Sequence, residues 1–397
     1  MQNRNAAEAG AKSLVVEICR ELISVGATSG DEGPVADIVE RRMQELGYRD
    51  IRRDRLGNVT GRVGPQGANT ALLFDSHMDV VAVTGDWSVD PFGGEIRDGR
   101  LYGRGATDMK GALAASLCGV ADAARKGDLT GEVVVSASVM EETVEGRALS
   151  MVLDEANPDL AVICEPSSLQ IKTGQRGRME IIVEALGRPA HAAHPERGRN
   201  AIELAAKALA VIANMKLADD PDLGSMIMVP TDIISDPYPL VSALPASVAI
   251  RFDRRIGVAD TKEKVLGELE KALAEVEPDG FRVYLNNNPI RTYTGETLDC
   301  ERFLAAWSNG PQSELAQAAA DSLVEAGLPV DFGYYAFCTN GSETAGMRQI
   351  PTIGLGPGNE SDAHIVDESV SIEELTKAVE VYRNLTLRIA GGQNANE

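Results

Sequence analysis

The sequence is poor in cysteine, in histidine and in aromatic side chains. Its 397 residues include 5 cysteines and 4 histidines, and aromatic residues make up 4% of the chain. The cysteines are odd in number and scattered, without a Cys-x-x-Cys pair, so neither a disulfide framework nor a thiolate zinc site is indicated. We expect each of them to be a small buried hydrophobe: Cys19, Cys118, Cys164, Cys300 and Cys338.

Long apolar runs and positive charge are also scarce. No uncharged apolar run approaches the ~20 residues that span a bilayer, and the polar amino terminus has no signal-like apolar stretch. Asp and Glu number 60 against 38 Lys and Arg, a formal net charge of −22. This excess of negative charge repels phosphate backbones. We therefore expect a cytoplasmic protein that binds neither a membrane nor a nucleic acid.

Short apolar runs alternate with helical patterns in the first part of the chain. The runs ALLFDSH, EVVVSASVM and LAVICEP are each bounded by turn residues, and an Ala-rich helical segment lies between the first two. Strands separated by helices at this spacing are typical of βαβ units. We predict an α/β fold with a mixed, mostly parallel sheet and helices on both of its faces.

The pattern changes at about Gly177. The strand-like segments MEIIVEALG, SVAIRFDRRI and FRVYLNN alternate with two helical segments, an order that favours a ferredoxin-like α+β module. The α/β pattern returns after Pro289. Because the chain exceeds the ~250–300 residues at which a single core stops growing, we predict two domains. The catalytic domain has two parts, 1–176 and 290–397, and an inserted domain occupies 177–289.

Histidines and carboxylates lie where these predicted elements meet their loops. Ligands of open α/β sheets bind at the carboxyl edge of the strands, and nitrogen and oxygen donors without thiolates are typical of catalytic zinc and related ions. Side chains two residues apart in a strand point to the same side, so His77 and Asp79 lie on one side of theirs. At this spacing a carboxylate can orient a metal-ligating imidazole. The residues concerned are His77, Asp79, Asp108, Glu141, Glu142, Glu165 and His364.

Each of these residues also has a structural explanation when it is taken alone. A strand-end histidine can be hydrogen-bonded for stability, Asp108 can cap the Ala-rich helix, and Glu141 with its neighbour can form a solvated acidic turn. Taken together, they supply ligands for two ions, with one carboxylate bridging. Glu141 is then left over beside the ions as a candidate general base. The ligands are His77, Asp108, Glu142, Glu165 and His364.

The motifs resemble those of the co-catalytic di-zinc family that includes acetylornithine deacetylase, succinyl-diaminopimelate desuccinylase, aminoacylase-1 and glutamate carboxypeptidase. The resemblance covers almost the whole chain. It rests on SHMDVV, DWSVDPFGGEIRDGRLYGRGATDMKG, MEETVEG, ICEPSS, GRPAHAAHPERGRNAI and SDAHIVDE. GQRGRMEI and FCTNG look closest to the selenium-metabolism-linked (YgeY-like) hydrolases of that family.

The resemblance implies a role for each site residue. Asp79 orients the imidazole of His77, and Glu141 is the general base. Two zinc ions share the bridging carboxylate of Asp108. The implied ligands are His77, Asp108 and Glu165 for one ion and Asp108, Glu142 and His364 for the other.

The resemblance also implies that the inserted domain is a lid and the interface of a homodimer. His191 is then expected to reach the active site of the partner subunit and to stabilise the oxyanion, with Asn200 as a neighbouring polar residue. Arg255 matches a position that holds a substrate carboxylate, and Arg176 is a second candidate. A surface salt bridge is the alternative for both arginines. His194 lies at a variable place in the motif, where an exposed or structural histidine is expected.

The implied activity is hydrolysis of the amide bond of small N-acylated amino acids by a metal-activated water. Zn²⁺ is the expected ion, and Co²⁺ or Mn²⁺ suits the same ligands. One alternative is a metallo-exopeptidase that cleaves dipeptides or C-terminal residues. Another is a metal-binding relative without turnover, against which the intact Glu141 argues because a ligand-only role does not need that carboxylate.

Overall fold

The computed structural model describes residues 14–127 and 129–392. The chain divides into two compact units. Of the described residues, the first unit contains those up to Gln175, Ile290–Leu298 and those from Asn309 onward, and the second contains Arg176–Pro289 and Asp299–Ser308. No helix within the described residues is both long and apolar enough to cross a membrane.

The helices and strands alternate along most of the chain. The helices are α1 (14–23), α2 (Gly33–Leu46), α3 (Gly111–Lys126), α4 (Glu141–Val144), α5 (Ser150–Ala156), α6 (Ala201–Ala213), α7 (Lys262–Ala274), α8 (Glu314–Glu325) and α9 (Ile372–Ala390). The longer strands are β1 (Arg49–Arg53), β2 (Val59–Val63), β3 (Thr70–His77), β6 (Glu132–Ser138), β8 (Ile171–Gln175), β9 (Gly177–Leu186), β10 (Met228–Asp236), β11 (Ser247–Ile256), β12 (Phe281–Leu285) and β17 (Phe332–Tyr335). The short strands are β4 (Glu95–Arg97), β5 (Arg100–Tyr102), β7 (Ala161–Ile163), β13 (Ile290–Arg291), β14 (Thr297–Leu298), β15 (Phe303–Leu304), β16 (Trp307–Ser308), β18 (Thr352–Gly354) and β19 (Ser369–Ser371).

The main sheet of the first unit has the strand order β1-β2-β6-β3-β7-β18-β8, with β17 beside β8. The central strand β3 pairs in parallel with both β6 and β7, and β7 pairs in parallel with β18. The outer strands β1 and β2 are antiparallel, as is β8 against β18. The predicted mixed, mostly parallel sheet is therefore confirmed.

Helices cover both faces of this sheet. Leu73 of β3 packs in a cluster with Leu153 of α5, whereas the next residue, Phe74, contacts the ring of Tyr382 in α9 at a centroid distance of 5.2 Å. Successive residues of a strand point to opposite faces, so α5 and α9 lie on opposite sides of β3. Between these helices β6 and β7 are fully buried and β3 almost so, and their pairing sets the register in which the three strands end.

Small residues allow α3 to lie directly against α9. A Cβ added at Gly119 of α3 would come within 2.7 Å of the backbone oxygen of Val379 in α9. A side chain at that position would therefore push the two helices apart, and interior packing leaves no space for such a shift. This close contact explains why α3 is rich in alanine and contains Gly119.

The second unit has an antiparallel sheet of order β10-β11-β9-β12, with β15 also pairing with β9. The chain order β9-α6-β10-β11-α7-β12 gives the strand arrangement of a split βαβ module. Alternate residues of β9 and β11, such as Val183 and Ile250, form one core with Leu204 of α6 and Leu269 of α7. Strand β10 was missed by the sequence analysis because its segment MVPTDIISD contains a proline and two aspartates and is mostly exposed.

Candidate metal centre

The ends of three parallel strands converge at one edge of the main sheet. His77 is the last residue of β3 and lies beside Ser138, the last residue of β6. Glu141 follows the end of β6, and Glu165 follows the end of β7 at Ile163. Parallel neighbours end on the same side of a sheet, which is the edge at which α/β proteins bind ligands. The main-chain register of buried strands therefore brings these side chains together.

The first group of metal-binding side chains is buried and centred on His77. Its Nε2 lies 2.9 Å from Oδ1 of Asp108 and 3.7 Å from Oε1 of Glu165. One ligand atom from each of these three residues lies within 4.8 Å of the others. An imidazole nitrogen and two carboxylates at this separation form a three-residue site that leaves room for further ligands.

The second group shares Asp108 with the first. Nε2 of His364 lies 3.1 Å from Oδ2 of Asp108 and 3.0 Å from Oε2 of Glu142. Each oxygen of Asp108 therefore faces a different histidine, with His77 on one side and His364 on the other. The structure brings together all five predicted ligands, and the carboxylate of Asp108 lies between the two groups.

Charge crowding makes these groups suited to cations. Burial raises the pKa of Glu165, as does the neighbouring Asp108, and the same two causes raise the pKa of Glu142. Although burial opposes it, hydrogen bonds from His364 and His77 hold the pKa of Asp108 well below its ordinary value. Hydrogen bonds to Asp108 and Glu142 raise the pKa of His364 to about 10. Buried carboxylates that draw in positive charge, with nitrogen and oxygen donors only, fit divalent metal ions.

Glu141 is a buried carboxylate that belongs to neither group. Its Oε2 lies 3.9 Å from Nε2 of His77, and its Oε1 has no hydrogen-bond partner among the described residues. Burial raises the pKa of Glu141 well above its ordinary value, and the nearby Glu165 raises it further. A carboxylate with a free oxygen and a raised pKa beside the ligands is placed to exchange protons with a small molecule bound there.

Asp79 acts on His77 through its main chain rather than through its carboxylate. The Nδ1–H of His77 donates to the backbone oxygen of Asp79 at 2.9 Å, whereas the carboxylate Oδ1 is 3.6 Å from Nδ1. A carbonyl oxygen only accepts, so the bond assigns the proton to Nδ1 and directs Nε2 to the ligand group. The carboxylate accepts instead from Ser29 Oγ and from the backbone N–H groups of Glu141 and Glu142.

Asp108 is not the cap of the Ala-rich helix. Helix α3 begins at Gly111, and Asp108 has extended backbone angles of φ −120° and ψ 94°. Its N–H donates to Glu368 Oε1 at 3.1 Å, and the other oxygen of Glu368 binds the buried guanidinium of Arg104 at 2.5 Å. The sequence analysis missed this pair, although Arg104 and Glu368 stand in the motifs YGRG and SDAHIVDE.

The predicted histidines of the second unit are exposed. Nδ1 of His191 accepts the N–H of Ala193 at 3.0 Å, which leaves the ring proton on Nε2, and residue 191 forms an isolated bridge with Ala243. His194 lies 3.6 Å from the carboxylate of Glu196, and its side chain is about half exposed. His191 is therefore held as an Nε2–H donor, and His194 has the exposed setting expected of it.

The predicted substrate-binding residues of the second unit have local partners. Asn200 caps helix α6, because its Oδ1 accepts the N–H of Ile202 at 3.0 Å. Nε of Arg255 donates to Asp253 at 2.8 Å. Arg176 donates from Nη1 to the backbone oxygen of Ser225 at 3.1 Å. Substrate binding by Arg255 would thus compete with an existing ion pair.

Comparisons with known proteins find relatives over almost the whole chain. The protein YgeY of Escherichia coli K12 is 28% identical over 380 residues, which cover 93% of this chain and 92% of that one. A succinyl-diaminopimelate desuccinylase of Phenylobacterium zucineum is 30% identical over 394 residues and covers 94% and 97% of the two chains. The crystal structure of aminopeptidase PepT from Bacillus cereus superposes with a TM-score of 0.73 at 20% identity, over 96% of this chain and 99% of that one.

The sequence profile of peptidase family M20/M25/M40 matches residues 73–388, more than half of the chain. This segment includes all five side chains of the two groups and the carboxylate of Glu141. The family resemblance carried by the motifs is thereby confirmed. The chain belongs to peptidase family M20/M25/M40 and is a hydrolase of amide or peptide bonds.

Proposed function

We propose that the protein is a metal-dependent amidohydrolase that removes the acyl group from small N-acylated amino acids. The observation that carries the proposal is the shared carboxylate of Asp108 between two ligand groups, with the unpartnered buried oxygen of Glu141 beside them. The relative at 30% identity is named a desuccinylase, an enzyme for an acylated amino acid, and this name supports the same substrate class.

Two divalent ions would occupy the two groups. His77, Asp108 and Glu165 would hold one ion, and Asp108, Glu142 and His364 the other. Bound there, the ions would polarise a substrate carbonyl and lower the pKa of a water molecule. Nitrogen and oxygen donors suit Zn²⁺ first, and Co²⁺ or Mn²⁺ also.

Glu141 would move the proton. Its free Oε1 would accept a proton from the attacking water and then deliver it to the nitrogen of the leaving amine. Burial raises the pKa of Glu141, which makes its carboxylate a stronger proton acceptor. Asp79 would hold this carboxylate in place through the backbone N–H of Glu141.

His191 would stabilise the oxyanion of the tetrahedral species. The Ala193 N–H occupies its Nδ1, so its Nε2–H is available to donate. We propose that it does so in the catalytic site of a partner subunit. Arg255 and Arg176 would bind the substrate carboxylate, with Asn200 as a polar neighbour, and Arg255 would then exchange its Asp253 partner for the substrate.

A homodimer through the second unit is supported by its exposed edge strand. Strand β10 is the edge of its sheet, and Ile233 and Ile234 on its two faces are 55% and 54% exposed. Val229 on the same strand is 47% exposed. Exposed apolar side chains on an edge strand favour pairing with another chain, and a second copy of the same strand can pair with it antiparallel.

A substrate panel tests the proposal. N-Succinyl and N-acetyl amino acids are compared with the matching unblocked dipeptides, each with added Zn²⁺, Co²⁺ or Mn²⁺. We expect turnover of the acylated amino acids to exceed that of the dipeptides. Faster hydrolysis of unblocked dipeptides would favour the exopeptidase alternative, and no turnover of any substrate by the metal-loaded protein would favour a binding protein.

A further inference from the structure

Four consecutive backbone N–H groups, which run from the end of β6 into the first turn of α4, each donate to a side chain. Val139 donates to Asn58 Oδ1 and Met140 donates to Glu32 Oε1, both at 3.0 Å. The next two donate to the carboxylate oxygens of Asp79, each at 3.1 Å. The donors are Val139, Met140, Glu141 and Glu142, and the last two carry the proposed base and a proposed metal ligand.

The acceptors of these four N–H groups are side chains rather than the carbonyl oxygens of a sheet or a helix. Strand β6 ends at Ser138, and α4 is only four residues long. Met140 has a φ of 62°, a left-handed conformation that a residue with a side chain keeps only when its surroundings impose it. The side-chain acceptors therefore take the place of a strand ladder and fix the direction in which Glu141 and Glu142 point.

Glu32 accepts hydrogen bonds from the main chain through its carboxylate. It is fully buried, and its second oxygen, Oε2, accepts the N–H of Gly30 at 3.0 Å. Both oxygens thus bind backbone N–H groups, one in its own turn and one at Met140. No ion pair of Glu32 is present among the described residues, so its burial is explained by these two hydrogen bonds.

Asn58 links the start of the same segment to Ala148, six residues beyond its end. It is fully buried, its Oδ1 accepts from Val139, and its Nδ2 donates to the backbone oxygen of Ala148 at 2.9 Å. Asn58 and Glu32 precede residue 73, where the family match begins. Among the described residues neither is hydrogen-bonded to any of the five ligand side chains, and both accept from the main chain directly before Glu141.

We propose that Glu32 and Asn58 are positioning residues for the Glu141–Glu142 pair, an inference that rests on the function proposed above. Because the two glutamates are adjacent, a shift of their backbone moves the proton acceptor and a metal ligand together. Loss of one acceptor should therefore weaken both turnover and the metal site that contains Glu142. Groups that orient metal ligands typically contribute about 10- to 100-fold in metal affinity or activity.

The test compares three variants of the full chain. Glu32→Met removes the acceptor and keeps the side-chain length, and Glu32→Gln keeps one oxygen for the Met140 N–H. Glu132→Met is the matched control, because Glu132 is a buried carboxylate at the opposite end of β6, paired with Arg49 and Arg62. The readouts are kcat and KM for an N-acylated amino acid, thermal stability, and titration of the metal-free protein with Co²⁺ followed by absorbance.

We expect Glu32→Met to lower kcat and to weaken one of two Co²⁺ binding steps, each by about 10- to 100-fold, with KM little changed. Glu32→Gln should recover most of both losses. Glu132→Met should lower stability and leave kcat and Co²⁺ affinity within about threefold. Where Glu32→Met does not fold, Asn58→Ala replaces it with the same expected losses.

The proposal is overturned if Glu32→Met or Asn58→Ala has wild-type kcat and Co²⁺ affinity. It is equally overturned if Glu132→Met loses kcat and Co²⁺ affinity as much as they do, because the effect would then follow stability alone. If the wild-type protein hydrolyses no acylated amino acid, the proposed function fails, and the Co²⁺ titration still decides whether Glu32 and Asn58 position the ligand segment.

Discussion

The variant Glu141→Gln distinguishes proton transfer by this residue from metal binding by the neighbouring ligands. Glu141→Gln keeps the size of the side chain and removes its ability to accept a proton. The carboxylate belongs to neither ligand group, and its nearest approach to His77 is 3.9 Å. The variant should therefore bind as many metal ions as the wild type.

The expected loss of activity follows from the role of the proton acceptor. A positioned general base contributes about 10²- to 10⁴-fold, which corresponds to about 2.7 to 5.4 kcal/mol of activation free energy. We expect kcat for an N-acylated amino acid to fall by that factor, with little change in KM. Burial and Glu165 raise the pKa of Glu141, so removal of its charge should also stabilise the metal-free protein near neutral pH.

The assay combines steady-state kinetics with metal analysis of the same preparation and thermal unfolding of the metal-free protein. Glu145→Gln, the same substitution four residues later, is the matched control and should retain kcat within about threefold. The reasoning is refuted if Glu141→Gln retains wild-type turnover. It is also refuted if metal content falls in parallel with activity, since Glu141 would then be a ligand.

Three further predictions address the second unit and the pH dependence of stability. His191→Ala should lower kcat by about 10²- to 10³-fold, the usual contribution of one oxyanion donor, and metal analysis should show unchanged content; normal turnover would exclude the role of His191. Ile233→Glu on β10 should convert a dimer to a monomer in sedimentation velocity, and an unchanged oligomeric state would show that this edge is not the interface. Burial lowers the pKa of Lys110 from 10.5 to about 8. Between pH 8 and pH 10.5 the unfolded chain therefore binds this proton more readily than the folded protein, and stability should rise with pH over that range. Relative to Lys110→Met, the wild-type free energy of unfolding should rise by about 3 kcal/mol from pH 8 to 10.5 in denaturant titrations, and parallel curves for the two proteins would contradict this assignment.

The sequence predicts the strands and helices that a pattern of consecutive residues indicates. Apolar runs that end in His77 and before Glu141 and Glu165 are strands of one parallel arrangement, so the convergence of their ends follows from sheet geometry. Asp108 and His364 were placed by motif and by loop position, and the structure brings them to the same edge. The positions of these residues can therefore be predicted from the neighbouring sequence, without knowledge of distant contacts.

The residues that the sequence analysis missed act across long separations. Glu32 binds the main chain at Met140, and Glu368 binds the main chain at Asp108. A buried glutamate of this kind looks like any polar residue in a turn, because its partner is a backbone N–H that carries no sequence signal. For the same reason we predicted from the sequence that the Asp79 carboxylate orients His77, whereas in the structure the Asp79 backbone oxygen accepts the hydrogen bond from the imidazole.

The central claim is that two cations share the carboxylate of Asp108, and a crystal structure of the Zn²⁺-loaded protein tests it directly. Anomalous scattering at the zinc edge should show two peaks about 3.5–4 Å apart, one beside His77 and Glu165 and one beside Glu142 and His364. A single peak, or two peaks with no common contact to Asp108, would contradict the account.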